Sequence, residues 1–117
     1  MKYSTFVLNK LSSSTFLQLY ILSCGIKKDG PIYGKEVLDY IKNFNIAWQP
    51  SHGTLYPIIE KMKKDGLLEQ AYVCENRKYY QVTPLGKDYY KERAIDFKNM
   101  LLDCSNFYST IANNLSI

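Results

Sequence analysis

Residues 50–69 read Pro50-Ser51-His52-Gly53-Thr54-Leu55-Tyr56-Pro57-Ile58-Ile59-Glu60-Lys61-Met62-Lys63-Lys64-Asp65-Gly66-Leu67-Leu68-Glu69, and this stretch decides the fold. Leu55, Ile58, Ile59 and Met62 recur at three- and four-residue intervals, the spacing of one buried helical stripe. Ser51, His52, Thr54, Tyr56, Lys61 and Lys64 fall mostly on the other faces, so the helix has one side to bury and another to present. Ser51 suits the N-cap, where its hydroxyl accepts from an otherwise unpaired N–H, and Gly66 suits the stop because it tolerates a left-handed backbone. Pro57 lies inside the predicted helix, where it removes a hydrogen bond and crowds the preceding turn. The expectation is a bend there, or a loose turn that becomes regular only after Pro57.

Reading toward the C-terminus, Leu68 to Tyr72 and Arg77 to Val82 have the composition of two short strands around a tight turn near Glu75-Asn76. Period-two alternation puts Tyr80 and Val82 on one face of the second strand, with Tyr80 in the core, and Tyr79 and Gln81 on the other. Thr83 then caps a last helix whose first position is Pro84, a place where a missing N–H costs nothing. Reading toward the N-terminus, Tyr33 to Phe44 is a helix with Val37, Ile41 and Phe44 on one face. It follows the turn Lys28-Asp29-Gly30-Pro31, in which Gly30 frees the backbone. Thr15 to Lys27 is a helix with Phe16, Leu19, Tyr20, Leu22 and Ile26 around most of its circumference, as in helices buried on several sides. Tyr3, Phe6, Val7 and Leu11 suggest a short leading helix, and Ile46 and Trp48 anchor the connection 43–49. Helix, helix, presenting helix, hairpin, helix is the order of a winged helix-turn-helix: mainly α with a small β-hairpin.

The last helix carries a second signal. Tyr90, Ala94, Phe97, Leu101, Cys104, Tyr108, Ile111 and Leu115 repeat at alternating four- and three-residue steps, a heptad seam, with Met100 and Phe107 widening it. One helix over 84–115 would run about 48 Å, longer than a small domain covers. The seam therefore predicts packing against a partner subunit's helix, and against its first helix as well. The organisation read from the chain is an N-terminal extension over 1–14, a winged helix domain over 15–83 and a dimerisation helix over 84–117.

With 46% hydrophobic and 15% aromatic residues in 117, the chain can pack a core without metal or disulfide staples. A formal charge of +4 favours a polyanionic partner only mildly. Cys24, Cys74 and Cys104 are an odd number at wide spacing, and His52 is the single histidine, which argues for reduced thiols and against a metal site or cofactor. Cys74, at the expected tip of the hairpin, is the thiol placed for redox chemistry. The apolar run before Leu22-Ser23-Cys24 imitates a lipoprotein signal, but Gln18 interrupts it and it is too short to span a bilayer, so the reading is cytoplasmic with no membrane partner. No nucleophile-base pair, paired acid or phosphate-cradling glycine loop points to an enzyme.

Four motifs in this order and spacing, Gly30-Pro31-Ile32-Tyr33-Gly34, Ser51-His52-Gly53-Thr54-Leu55-Tyr56-Pro57, Asp65-Gly66-Leu67-Leu68 and Arg77-Lys78-Tyr79-Tyr80-Gln81-Val82-Thr83-Pro84-Leu85-Gly86, resemble the PadR family of transcriptional regulators over residues 15–90. The resemblance implies a dimeric winged-helix repressor of the short form, with a single C-terminal helix. It also raises a flat aromatic ligand at the dimer interface, although aromatics at seam spacing are usually packing residues.

The expected DNA-facing set combines the resemblance with residue chemistry. Ser51, His52, Gly53 and Thr54 sit at the N-terminal end of the presenting helix, where short polar groups and free N–H donors approach bases or phosphates. Tyr56 either reaches a phosphate or half-buries against the wing. Lys61, Lys64, Arg77 and Lys78 are backbone ligands by length and charge, and Tyr33, Gly34 and Lys35 join the set at the second helix's N-terminus. Between the strands the chain departs from the family's Gly/Pro-containing wing, since Val73-Cys74-Glu75-Asn76 is short and Glu75 repels phosphate. The reading is a sequence-specific DNA-binding regulator acting as a homodimer on an inverted repeat. A winged-helix protein-interaction module without DNA binding is the alternative.

Overall fold

The computed structural model describes residues 14–44 and 50–117. The leading helix expected from Tyr3 to Leu11, and the anchors Ile46 and Trp48, lie outside them. In chain order the elements are α1 (Ser14–Lys28), α2 (Gly34–Lys42), α3 (His52–Lys64), β1 (Leu68–Cys74), β2 (Arg77–Val82) and α4 (Pro84–Asn113). This is a winged helix-turn-helix followed by one long helix.

The core forms where the apolar stripes of these elements meet. Leu17, Ile21 and Leu22 of α1, Val37 and Ile41 of α2, and Leu55, Ile58, Ile59 and Met62 of α3 pack with Leu68, Tyr80 and Val82 of the hairpin. At three- and four-residue intervals the α3 set makes one continuous face, as the sequence requires. Gly25 lets α1 approach β2 closely, since a Cβ there would stand 2.5 Å from the Val82 Cγ2. Phe44 does not join the α2 stripe. The helix ends at Lys42, and Phe44, beyond it, is 58% exposed with its ring edge-on to Tyr20 at 6.3 Å.

Capping follows the chemistry of the terminal residues. The Ser51 Oγ accepts from the Thr54 N–H at 3.2 Å, and α3 is regular from His52 onward, continuing through Pro57. The loose start expected before Pro57 is absent. The cap holds the first turn, and the proline's missing N–H deprives only the Gly53 carbonyl of its usual donor. At the other end Gly66 has φ 82, and the Leu67 N–H donates to the Met62 carbonyl at 2.9 Å, closing a Schellman stop. In the α1–α2 turn the left-handed residue is Asp29 (φ 56) rather than Gly30, and its N–H donates to the Gly25 carbonyl at 3.0 Å. Asp has a short polar side chain that tolerates this conformation.

The hairpin is antiparallel, with Leu68 opposite Val82 and Cys74 opposite Arg77. Glu75 and Asn76 have φ 51 and 63, the two positive angles of a type I′ turn. Strand β1 extends two residues past the expected Tyr72, and a register shift between Gln70 and Tyr72 accommodates one extra residue. Ile32 adds a short third rung, exchanging hydrogen bonds of 2.9 and 2.8 Å with Tyr80. That bridge ties the start of α2 to the wing.

Helix α4 starts on the Thr83 cap, whose hydroxyl accepts from the Gly86 N–H at 2.9 Å and donates to the Gly66 carbonyl at 2.6 Å. Its 30 residues reach about 45 Å, and the chain measures 54 Å in its longest dimension. The helix stops at Asn113, so Leu115 of the expected seam lies past its end. The seam also divides. Phe97 meets Phe16 of α1 edge-to-face at 5.5 Å and Cys104 is 6% exposed within the single chain, whereas Tyr108 and Ile111 are 40% and 47% exposed. Tyr90, Ala94 and Leu101 are partly covered.

Candidate nucleic-acid interface

Three elements converge on one side of the molecule: the N-terminus of α2, the exposed face of α3, and the base of the wing. The cleft between them has a volume of about 380 Å³ and is lined by Tyr33, Gly34, Lys35, His52, Tyr56, Glu60, Asn76, Arg77, Lys78 and Tyr80. Seven of the twelve sequence-predicted contact residues therefore meet in one concavity: Tyr33, Gly34, Lys35, His52, Tyr56, Arg77 and Lys78. Ser51, Gly53, Thr54, Lys61 and Lys64 are exposed on α3 and its cap but do not line the cleft.

Packing within the cleft explains its shape. Gly34 sits where a Cβ would approach the Tyr56 Cε1 to 2.6 Å, so a larger residue there would displace the Tyr56 ring from its place against α2. Tyr56 lies against Gly34 and stacks on His52 at 5.2 Å while remaining 45% exposed. The ring is thus half-buried, with Gly34 of α2 and His52 as its packing partners. On the wing side, Tyr72 stacks on Tyr79 at 4.6 Å, Tyr79 meets Tyr33 at 5.1 Å, and the Arg77 guanidinium lies 4.8 Å from the centre of the Tyr33 ring. This aromatic column aims the arginine toward the start of α2.

The cations differ in how free they are. Lys35 lies 3.6 Å from Asp39, an exposed pair of little strength. The Lys61 ammonium is 2.7 Å from the Asp65 carboxylate, which raises its pKa from the ordinary lysine value. That contact turns Lys61 toward the C-terminal end of α3. Among the described residues Lys63, Lys64, Arg77 and Lys78 have no salt bridge. The Thr54 hydroxyl is 3.2 Å from the Ser51 Oγ, so the cap pair shares its hydrogen-bonding capacity with any DNA contact.

At the first turn of α2 the Tyr33 N–H donates to the Glu36 Oε1 at 3.4 Å. Glu36 is also bridged by Lys28 at 3.0 Å and accepts from the Tyr40 hydroxyl at 2.8 Å. The acid that stabilises this helix end is therefore turned to its own neighbours. On the cleft floor the buried Tyr80 donates its hydroxyl to the Glu60 Oε1 at 3.2 Å, and burial together with the nearby carboxylate pushes its pKa up to about 12. Sequence reasoning did not select Glu60, Tyr72, Tyr79, Asn76 or Tyr80 for this site. Glu60 was within reach of it, being four residues after Tyr56 and eight after His52 and so on the same helical face. The tyrosine column depends on the register of the hairpin and on the Ile32 bridge, which periodicity does not contain.

A compact three-helix unit with a two-stranded wing, a capped presenting helix and cations flanking a concave face defines a winged-helix DNA-binding protein. The chain belongs to the PadR-like family of transcriptional regulators, whose family model matches residues 21–92. An uncharacterised protein from Lysinibacillus sphaericus is 36% identical over 81 residues, covering 65% of this chain and 72% of that protein. Among solved structures, a transcriptional regulator from Clostridium thermocellum superposes with a TM-score of 0.64 at 27% identity, over 80% of this chain and 90% of its own. A PadR family transcription regulator from Clostridium difficile shares the fold with a TM-score of 0.62 at 21% identity, over 80% of this chain and 98% of its own. Family membership makes the chain a DNA-binding regulator. Among the described residues no helix is long and apolar enough to cross a membrane.

Proposed function

We propose that this chain is a homodimeric repressor that recognises an inverted-repeat operator. The observation that carries the reading is the convergence in one cleft of the α2 N-terminus, the exposed face of α3 and the Arg77-Lys78 base of the wing. DNA binding needs a groove reader and a phosphate clamp, and this face holds both. Ser51, His52, Gly53, Thr54 and Tyr56 are the reading end. Tyr33, Gly34, Lys35, Lys61, Lys64, Arg77 and Lys78 are the backbone contacts, with Lys61 the weakest because Asp65 already holds it.

Dimerisation rests on α4. Ile95 and Leu102 are 73% and 52% exposed, and Tyr108 and Ile111 add apolar surface that a single chain leaves in water. A second α4 covering it makes a two-fold dimer, and two-fold recognition calls for two copies of α3 in successive major grooves, about 34 Å apart. The seam aromatic Phe97 is explained as packing by its contact with Phe16. A flat aromatic ligand between subunits is not required by it.

A genome-wide binding profile identifies the operator, and titration of full-site and half-site duplexes at several salt concentrations tests the reading. Two-fold recognition requires tighter full-site binding and an affinity that falls steeply with salt. Equal affinity for half and full sites refutes it.

A further inference from the structure

Glu60 is out of place on a surface that meets phosphates. It is exposed on α3, on the same helical face as His52 and Tyr56, and lines the same cleft as Lys35, Arg77 and Lys78. Among the described residues no cation forms a salt bridge with it, although Lys35, Arg77 and Lys78 line the same cleft. Its orientation is held instead by the Tyr80 hydroxyl, which donates to Oε1 at 3.2 Å from a residue that is 4% exposed. One carboxylate oxygen is thereby engaged and the other is left as an acceptor. An acid so placed lowers affinity for a phosphate backbone, unless it meets the one kind of donor that DNA presents in its grooves.

We propose that Glu60 is a specificity-determining residue that accepts a hydrogen bond from the exocyclic amino group of a cytosine in the major groove. This inference rests on the DNA-reading role of α3. The choice of cytosine follows from the edge chemistry of the bases. Guanine shows two acceptors and thymine an acceptor and a methyl group, all of which a carboxylate avoids. Adenine shows an amino donor beside the N7 acceptor, which repels the carboxylate while its N6 attracts it. Cytosine shows the N4 amino group with no neighbouring acceptor on its own edge. A carboxylate with one free oxygen and no donor therefore discriminates for cytosine, and it penalises guanine or thymine at that position.

The test is selection from a randomised duplex library by the full-length chain and by Glu60→Ala, Glu60→Gln and Tyr80→Phe, with binding constants measured on the selected duplexes. The wild-type chain should select cytosine at one position of each half-site. Glu60→Ala should reduce that preference by about 5- to 150-fold, leave the other positions unchanged and bind unselected duplex DNA more tightly. Glu60→Gln leaves its one carbonyl oxygen to Tyr80 and turns a donor into the groove, so its preference should move from cytosine to a base that shows an acceptor there. Tyr80→Phe releases the carboxylate and should broaden the same position. If Glu60→Ala binds all sequences more tightly with every preference intact, or if wild type selects adenine where cytosine is expected, the inference is wrong. A wild-type chain that selects no sequence overturns the DNA-reading role beneath it, which is a different failure.

Discussion

Replacing Arg77 with alanine separates clamping from reading, and the structure sets the size of the effect. The guanidinium lies 4.8 Å from the centre of the Tyr33 ring at the mouth of the cleft and has no salt bridge among the described residues. It is thus free to neutralise one phosphate per subunit. Each neutralised phosphate contributes about 0.9 to the slope of log affinity against log salt, so Arg77→Ala should make that slope shallower by about 0.9 per subunit. Between 50 and 200 mM salt, a fourfold change, each lost contact removes about a 3.5-fold salt effect. Sequence preference should stay as it is, because a phosphate contact carries no base information. Thr54→Ala is the complementary variant, expected to change preference by about 1–3 kcal/mol at a contacted base while leaving the slope alone. Removing Thr54 also loosens the cap pair with Ser51, so helicity of the free protein is measured beside binding. Competition among randomised operators at several salt concentrations reads both quantities together. An altered preference from Arg77→Ala with an unchanged slope refutes the assignment of roles.

Gly86→Ala should destabilise the fold by about 3 kcal/mol or more, because its Cβ would stand 2.3 Å from the Leu67 carbonyl oxygen and 3.0 Å from the Val82 Cγ1. Urea denaturation measures it, and an unchanged midpoint counts against the packing described. Tyr108→Asp combined with Ile111→Asp charges two residues that one chain leaves exposed, so light scattering should find folded monomers; a persistent dimer at micromolar concentration places the interface elsewhere. The Tyr80 pKa is raised from 10.0 to about 12, so its stabilising contribution is complete below pH 10 and is lost as pH rises toward 12. Tyr80→Phe should flatten the fall in urea midpoint across that window, and an identical fall in wild type and variant rejects the assignment. Cys74 is exposed while Cys24 and Cys104 are buried, and burial pushes the Cys24 thiol up to about 11. A thiol-reactive dye should therefore modify one cysteine in the native chain and three after denaturation.

Most of the fold was legible in local patterns because its signals are local. The stripe Leu55, Ile58, Ile59 and Met62, the caps Ser51 and Thr83, the stop at Gly66 and the turn at Glu75-Asn76 each depend on residues within one or two turns of each other. Seven of the expected contact residues meet in the cleft because motif order carries them onto elements that pack side by side. Tertiary structure decided what depends on distant partners. The Ile32–Tyr80 bridge pairs segments far apart in sequence, and the column Tyr72, Tyr79, Tyr33 forms only once that bridge sets the wing against α2. Periodicity placed Phe97, Cys104 and Tyr108 on one seam, but only tertiary packing, such as Phe97 against Phe16, separates residues already covered within the chain from those left exposed. A repeat records which side of a helix is apolar. It does not record which neighbour arrives to cover it, because that contact is made between segments whose separation along the chain no local pattern encodes.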